Sequence, residues 1–487
     1  MTQQEILEGI KKLYLQYAGT NPDTIDKLVG GGGDREYFRV WKKDATCIAT
    51  YNENTKENAT FIKFSNHFIK KNIPVPKIFI ASENGKLYLQ EDLGNISLLS
   101  VLEKEGFSDH VFSLYTQTVK LLAQLQVKGH EGMDYTNCLT TKEFGKQAIL
   151  NDLLYCKYYF IDTLKIPYDK QALLDDFEKF SSSLIDNTHE FFLFRDFQSR
   201  NVMVKNEAIY FIDFQGGMQG HLQYDIASLL WQAKASLPAK WKKQLLEIYM
   251  QEIQSLLPQK INTENFHFQY NGYVLIRLIQ VLGAYGFRGL FERKAHFLSS
   301  IPFALKNLQL FLSGNSITER FPAFYKILKI ITSKKIIDTF ETPVADEVTP
   351  LVVEISSFSY KKGIPTDNSG NGGGYVFDCR GILNPGRIEM YKKLSGKDKP
   401  VINYLEQETE MNIFLNSIFD IIDIHVENYL HRGFSHLSIN FGCTGGQHRS
   451  VYAAEQMNRH LKNKYKVKTM LRHLNEPAWI TEKNPVS

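Results

Sequence analysis

Two short stretches of this sequence carry side chains whose types and spacing suit phosphate chemistry. In RDFQSRN, Asp196 and Asn201 stand on one tight loop with four residues between them, and Asp213 closes the apolar run Tyr210-Phe211-Ile212. Phosphoryl transfer from a nucleotide needs a carboxylate to orient the attacking hydroxyl, and oxygen ligands to hold a divalent ion against the phosphates. One loop and one strand end supply all three. Either an Asp or an Asn alone would as readily cap a turn; the triplet bounded by apolar strands points to chemistry.

The second stretch, HLSINFGCTGGQHRSVYAAEQMNRH, reads as a strand, a glycine-containing loop and a helix start. Backbone N–H groups from Thr444 to Arg449, the helix N-terminus at Ser450 and the Arg449 guanidinium would converge on one small volume and attract phosphate there. Cys443 and Arg449 are separated by five residues and Ser450 follows. That is also the spacing of cysteine-based phosphatases, whose thiolate attacks phosphorus while the loop cradles its oxygens. Binding and hydrolysis both stay open, beside a plainer reading in which Gly442, Gly445 and Gly446 only make a tight turn.

The elements that must position these residues follow from periodicity. Apolar residues at helical spacing predict a helix over Gln4 to Tyr17. Strands are expected at Tyr37–Trp41, Cys47–Tyr51, Lys77–Ala81 and Lys86–Glu91, with a helix from about Glu57 to Lys71 that ends before Pro74 and Pro76. That makes a small sheet with one helix. Beyond Gly94 the pattern is mainly helical to about Ser333, broken by a compact strand region over Val202–Phe214. Lys334–Pro350 loses helical periodicity and reads as a linker. Strands at LVVEISSFS, YVFDCRG and HLSINFG then alternate with helices over Asn403–Leu430 and Ser450–Tyr465, which argues for a separate α/β domain.

Composition bounds the alternatives. The 487 residues allow two or three globular units, and Lys+Arg 57 against Asp+Glu 53 leaves a net charge of +4, too little to argue for nucleic acid. Any basic patch must be local. Cys47, Cys138, Cys156, Cys379 and Cys443 form no CxxC pair, so neither a disulfide framework nor a structural zinc site is expected. MTQQEILEGIKKLYLQ is amphipathic rather than a basic leader before an apolar core, and Val274–Phe291 is interrupted by Arg277, Gln280 and Arg288. The expectation is a cytoplasmic protein without a membrane partner.

Asp-x-x-x-x-Asn followed by Ile-Asp-Phe resembles the catalytic and metal loops of the protein-kinase-like superfamily. RDFQSRN, IDFQGG and YDIASLL look like its aminoglycoside phosphotransferase branch, and most like the cell-wall sugar kinases that phosphorylate N-acetylmuramate and N-acetylglucosamine at the anomeric position. The resemblance covers roughly Ile6 to Ser333. It implies an α+β, bilobal protein-kinase-like fold with ATP and Mg²⁺ as cofactors. Asp196 would be the catalytic base, and Asn201 and Asp213 the metal ligands. The glycine-rich stretch Gly30, Gly31, Gly32 and Gly33, with Arg35 behind it, would cover the phosphates. Backbone at Gln90 to Asp92 would face adenine. The lysine such kinases carry on the third strand is missing: Ala49, Thr50 and Tyr51 stand there, and Arg35, Arg39 and Lys56 are the nearest basic residues. Glu57 keeps the place of the helix glutamate, and Asp225 is expected to brace the lobe.

SFSYKKGIP, GGYVFDCRGILNPGR, GKDKPV and GCTGGQHRSVYAAEQM together resemble the carboxy-terminal domain of the bacterial RNase adaptor RapZ. That resemblance implies a pocket for glucosamine-6-phosphate built from Asp378, Cys443, Thr444, Gly445, Gly446, His448, Arg449 and Ser450. Its pattern favours binding over hydrolysis, with Asp378 the one nearby acid. Gly386 and Gln447 depart from it, standing where the adaptor has His and Lys. The expected organisation is a kinase domain over 1–335, with a small lobe at about 22–92 and a helical lobe at 93–335. A linker follows at 336–350, then a sugar-phosphate-binding domain at 351–480. The alternative is a kinase-like regulator that contacts RNA or a protein partner through His431, Arg432, Arg459, Lys462, Lys464 and Lys466.

Overall fold

A computed structural model describes residues 2–28, 35–185, 191–292, 295–298, 300–341, 345–367, 370 and 373–479. The chain divides into two compact units, Met1–Phe287 with Phe303–Ile336, and Arg288–Pro302 with Ile337–Ser487.

The first unit opens with helix α1, Gln3–Ala18, started by a capping box in which Thr2 and Glu5 satisfy each other's backbone N–H groups and stopped by Gly19 at φ 71°. Strands β1 (Thr24–Lys27), β2 (Glu36–Lys42), β3 (Ala45–Tyr51), β4 (Ile78–Ala81) and β5 (Leu87–Glu91) form an antiparallel sheet in the order β1-β2-β3-β5-β4. Ile6, Ile10, Leu13 and Tyr14 of α1 pack with Phe38, Val40, Cys47, Ala49, Tyr51, Leu87 and Leu89, so α1 is part of the sheet's core and not merely a lead-in. Strand β1 is an addition to the sequence reading. Its residues TIDK are mostly exposed at the sheet edge and carry no apolar alternation. Helix α2, Thr55–Lys70, runs from an Asn54 cap and follows β3.

The helical part of this unit supplies α3 (Asp109–His130), α4 (Lys146–Cys156), α5 (Gln223–Leu230) and α6 (Thr263–Tyr285). Between α4 and α5 lie two small antiparallel ladders. One joins β6 (Phe191–Leu193) to β9 (Met218–Gly220), and the other joins β7 (Val202–Lys205) to β8 (Ala208–Phe211). The strand region is thus wider than Val202–Phe214. The span Thr263–Phe291 is long and apolar enough by composition to cross a membrane, yet 56% of its most apolar window is buried inside the protein, as befits a core helix.

The second unit is built on a parallel sheet of β10 (Val352–Ser359), β11 (Tyr375–Asp378), β12 (His436–Cys443) and β13 (Lys468–His473), in the order β11-β12-β10-β13. Helices α7 (Lys399–Gln407), α8 (Met411–Arg432) and α9 (Arg449–Tyr465) bury Val401, Leu405, Ile418, Ile422, Met457 and Leu461 in a common core with Val353, Ile355, Ile439 and Phe441 of the sheet. Two expectations are corrected. The single helix over Asn403–Leu430 is two helices, and Lys334–Phe340, placed in the linker, is helical with Ile337 buried. In a parallel sheet the loops at the strands' carboxyl ends form the natural crevice. Ser359, Asp378 and Cys443 all stand at such ends.

Candidate functional sites

Asn201 and Asp213 are brought together by backbone pairing. β7 and β8 pair Val202 with Phe211, and one step beyond the ladder Ile212 N donates to the Asn201 carbonyl at 3.0 Å. Asn201 and the residue before Asp213 are therefore locked side by side. The Asn201 amide nitrogen donates to the Asp196 carbonyl at 2.9 Å, which fixes the loop and turns Oδ1 to the opposite side of the amide. Asp213 has φ 70°, a left-handed conformation that Asp tolerates better than most residues. Its Oδ1 accepts from Gln215 at 3.0 Å and from Arg35 at 3.2 Å. Burial pushes its carboxyl up; Arg35 opposes that and the Asp196 charge adds to it.

Of the basic residues considered in place of the missing lysine, Arg35 is the one paired with Asp213. Its Nη2 lies 2.7 Å from Glu57 Oε1 as well as 3.2 Å from Asp213, and its Nη1 donates to the Tyr37 hydroxyl at 3.1 Å. Glu57 is held from its other oxygen by Asn52 at 2.8 Å. Of the other basic candidates, Arg39 binds Asp92 and Asn95, and Lys56 donates to the Leu139 carbonyl. Gly30, Gly31, Gly32 and Gly33 lie outside the described residues. Leu28 N donates to the Tyr37 carbonyl at 2.8 Å, which extends the antiparallel pairing of β1 with β2 by one residue.

At the expected hinge, Gln90 sits on β5 between β3 and β4, its side-chain amide against Thr50. The Asp92 carboxylate is paired with Arg39 at 2.6 Å, and its carbonyl accepts from Lys205 at 2.9 Å. Its side chain and carbonyl thus fasten the sheet to the helical part of the unit.

Beneath the Asp196 loop lies a network of which the sequence reading expected only the Asp225 brace. Asp225 is fully buried and accepts from the Phe194 and Arg195 N–H groups at 2.7 and 3.1 Å, and from Gln126 at 3.1 Å. This is the bracing role expected for it. Burial pushes its carboxyl up to about 7. Arg195, at φ 79°, reaches Asp152 on α4 with both terminal nitrogens and the Tyr224 hydroxyl at 2.6 Å. From α6, Arg277 donates to Tyr224 at 3.0 Å and brings Nη2 to 3.9 Å from Asp196 Oδ1. Four elements thereby hold one loop.

The second loop brings together Cys443, Thr444, Gly446, Arg449 and Ser450. Gly446 N donates to Cys443 Sγ at 3.2 Å, and the Ser450 hydroxyl lies 3.1 Å from the same sulfur. Arg449 Nη1 donates to the carbonyls of Arg380 and Ile382 at 3.0 and 2.6 Å, and Nη2 lies 3.5 Å from Thr444 Oγ1. Thr444 and Gly445 are exposed at the rim. The remaining expected residues serve the walls. The His448 ring bonds the Tyr391 carbonyl at 2.9 Å and packs where a Cβ on Gly386 would lie. Asp378, opposite Gly442 in the ladder, is clamped by Arg380, and that bond holds its carboxyl below the usual carboxylate range. Of the basic residues considered for an RNA surface, Lys464 is taken up by buried Asp423 at 2.6 Å.

Residues 24–258 match the phosphotransferase enzyme family, and residues 351–475 match the RapZ C-terminal domain. One region of the chain is thus similar to a phosphotransferase enzyme family, and a separate region to the RapZ C-terminal domain. Among curated proteins, a nucleotide-binding protein of Endomicrobium trichonymphae is 35% identical over 183 residues, covering 33% of this chain and 62% of the relative. One of Acidobacterium capsulatum is 38% identical over 119 residues, covering 24% and 37%. The chain thus spans less than two thirds of either relative. Among solved structures, choline kinase from Cryptosporidium parvum Iowa II has a TM-score of 0.42 at 13% identity, covering 69% of this chain and 98% of that one. Spectinomycin phosphotransferase, solved with ADP and spectinomycin, has a TM-score of 0.42 at 14% identity, covering 70% and 97%.

Proposed function

We propose that the first unit transfers the γ-phosphoryl group of ATP to a hydroxyl of a small sugar, an amino sugar such as N-acetylmuramate or N-acetylglucosamine. The second unit, on this reading, binds a sugar phosphate such as glucosamine-6-phosphate at the Cys443 loop. The observation that carries the kinase reading is the lock between Asn201 and Ile212, which sets Asn201 Oδ1 and the Asp213 carboxylate beside the Asp196 loop.

The donor set fits a hard divalent cation: two side-chain oxygens from the protein, with the remaining positions left to phosphates and water, the usual arrangement for Mg²⁺. Asn201 and Asp213 would hold that ion, which when bound neutralises charge on the phosphates. Asp196 orients and deprotonates the sugar hydroxyl; its partly exposed carboxylate accepts from Arg200 and Gln198, while Asn201 holds its carbonyl. Arg35 supplies the positive charge at the phosphates that a third-strand lysine gives elsewhere.

A screen of free sugars with Mg²⁺-ATP, reading phosphorylated product and using Asp196→Asn as control, tests the proposal. Product from an amino sugar in the wild type, absent in the variant, is the expected outcome. No product from any sugar or aminoglycoside would sink it.

A further inference from the structure

The Cys443 loop has the parts of a phosphate cradle with a nucleophile at its floor. Strand β12 ends at Cys443 and helix α9 begins at Arg449 without any side-chain cap on its first N–H groups. Thr444, Gly445 and His448 N–H donate to no other group among the described residues, while Gly446, at φ 68°, turns its N–H onto the sulfur. A run of backbone donors ahead of a helix N-terminus forms an anion-binding concavity.

The second observation is independent of the loop. Arg449 is 4% exposed, and its Nη1 is spent on two carbonyls. Its Nε is buried without a partner among the described residues, and its only other contact is Nη2 with Thr444 Oγ1 at a long 3.5 Å. The Nε and Nη2 edge of a guanidinium is the fork that takes two oxygens of one phosphate. A buried cation with this edge unspent, next to the loop, calls for a dianionic ligand.

We propose that Cys443 is a nucleophile and that the loop hydrolyses phosphate monoesters. This rests on the phosphate-binding reading of the same loop and adds a reaction to it. As a thiolate, Sγ accepts from Gly446 N–H and the Ser450 hydroxyl. It attacks phosphorus, forming an S–P bond as the P–O bond to the leaving group breaks. Arg449 and the loop N–H groups hold the three non-bridging oxygens, where charge concentrates in the transition state. Water then attacks phosphorus and the S–P electron pair returns to sulfur, so one water is consumed and alcohol and inorganic phosphate are released.

Protonation of the leaving group defines the substrate class. Asp378, the carboxylate that closes β11, is clamped in its ionised form by Arg380, so it does not serve as the acid. The departing oxygen must leave as its anion and take a proton from water. Substrates are therefore monoesters of acidic hydroxyls, aryl or anomeric phosphates, whereas a primary-alcohol ester such as a sugar 6-phosphate occupies the cradle without turning over.

The test uses the full chain without ATP. It measures release of 4-nitrophenolate from 4-nitrophenyl phosphate, with binding of inorganic phosphate by calorimetry in parallel. Wild type should turn the ester over, glucosamine-6-phosphate should inhibit without releasing phosphate, and Cys443→Ser should lose at least 100-fold in rate while still binding inorganic phosphate. Phosphate binding without 4-nitrophenolate release in the wild type overturns the hydrolysis and leaves the binding reading intact. Turnover retained in Cys443→Ser overturns the assignment of the nucleophile. Absence of both binding and turnover overturns the cradle itself.

Discussion

The Arg35 guanidinium lies 2.7 Å from the Glu57 carboxylate, at the foot of the glycine-rich stretch, in a chain whose third strand carries no lysine. The same Nη2 touches Asp213 at 3.2 Å, so one cation joins the sheet, the helix after β3 and the loop that carries Asp213. Replacing it with Met leaves two carboxylates facing each other and, on the proposed reading, removes the positive charge that meets the phosphates. The expected result for Arg35→Met is a fall in kcat/KM for ATP of ~100-fold, about 2.7 kcal/mol of transition-state stabilisation. Arg35→Lys should recover part of it, because an ammonium offers a point charge and no fork. Steady-state kinetics with ATP varied checks this, and an unchanged kcat/KM in the Met variant would remove Arg35 from the nucleotide site.

On the proposed reading Asn201 does two things at once: it anchors the Asp196 carbonyl and would present Oδ1 to the ion. Asn201→Ala should therefore lower kcat and also move the midpoint of Mg²⁺ activation to higher concentration. Asp196→Asn should lower kcat by ~10²–10⁴-fold without moving that midpoint, since loss of a general base is a defect in chemistry alone. Titrating Mg²⁺ at saturating ATP separates the two. If both variants shift the midpoint equally, the division of labour between these residues is wrong.

The sequence made part of this site legible because the relevant information is local. Asp196, Asn201 and Asp213 lie within 18 residues around one hairpin, and the strands β2, β3 and β5 announce themselves as short apolar runs. The ion pairs that hold the site are not local. Arg35 and Asp213 are 178 residues apart, and Arg195 meets Asp152 and Tyr224 from separate helices. No periodicity encodes such meetings. The break between α7 and α8 was hidden for another reason. It contains neither Gly nor Pro, and is made by the Thr409 hydroxyl, which donates to the Leu405 carbonyl at 2.6 Å and accepts from Met411 N at 3.2 Å. Strands β1 and β13 were missed because their residues are largely solvent-facing edge positions.

Gly446 offers a test of the second loop that leaves its charged groups untouched. At φ 68° an added Cβ would sit 2.9 Å from Asn475 Oδ1 and 3.0 Å from Ser359 N. Gly446→Ala carries ~1–2 kcal/mol of left-handed strain before any clash is counted. The strain should turn the N–H off Cys443 Sγ. We expect a modest drop in unfolding midpoint together with at least 10-fold weaker binding of inorganic phosphate, measured by denaturant titration and calorimetry. Full phosphate affinity in this variant would show that the cradle does not depend on the observed loop conformation.

Asp225 links the stability of the first unit to pH. Its carboxyl is fully buried and raised by that burial from 3.8 to about 7. Between those values the folded protein holds a proton that the unfolded chain has released. The stabilisation tied to that proton is complete below about 4 and is lost as pH rises through about 7, at a slope of up to ~1.4 kcal/mol per pH unit. Asp225→Asn removes this titration. It also leaves an amide where a carboxylate accepted from Phe194 N and Arg195 N, so at neutral pH it should cost about 1–3 kcal/mol and loosen the loop that carries Asp196. The difference in stability between wild type and Asp225→Asn, measured by urea unfolding from pH 4 to 8, should therefore shrink as pH rises. A difference independent of pH, or one that grows, would mean that Asp225 is ionised throughout and that the loop N–H groups hold its charge against burial.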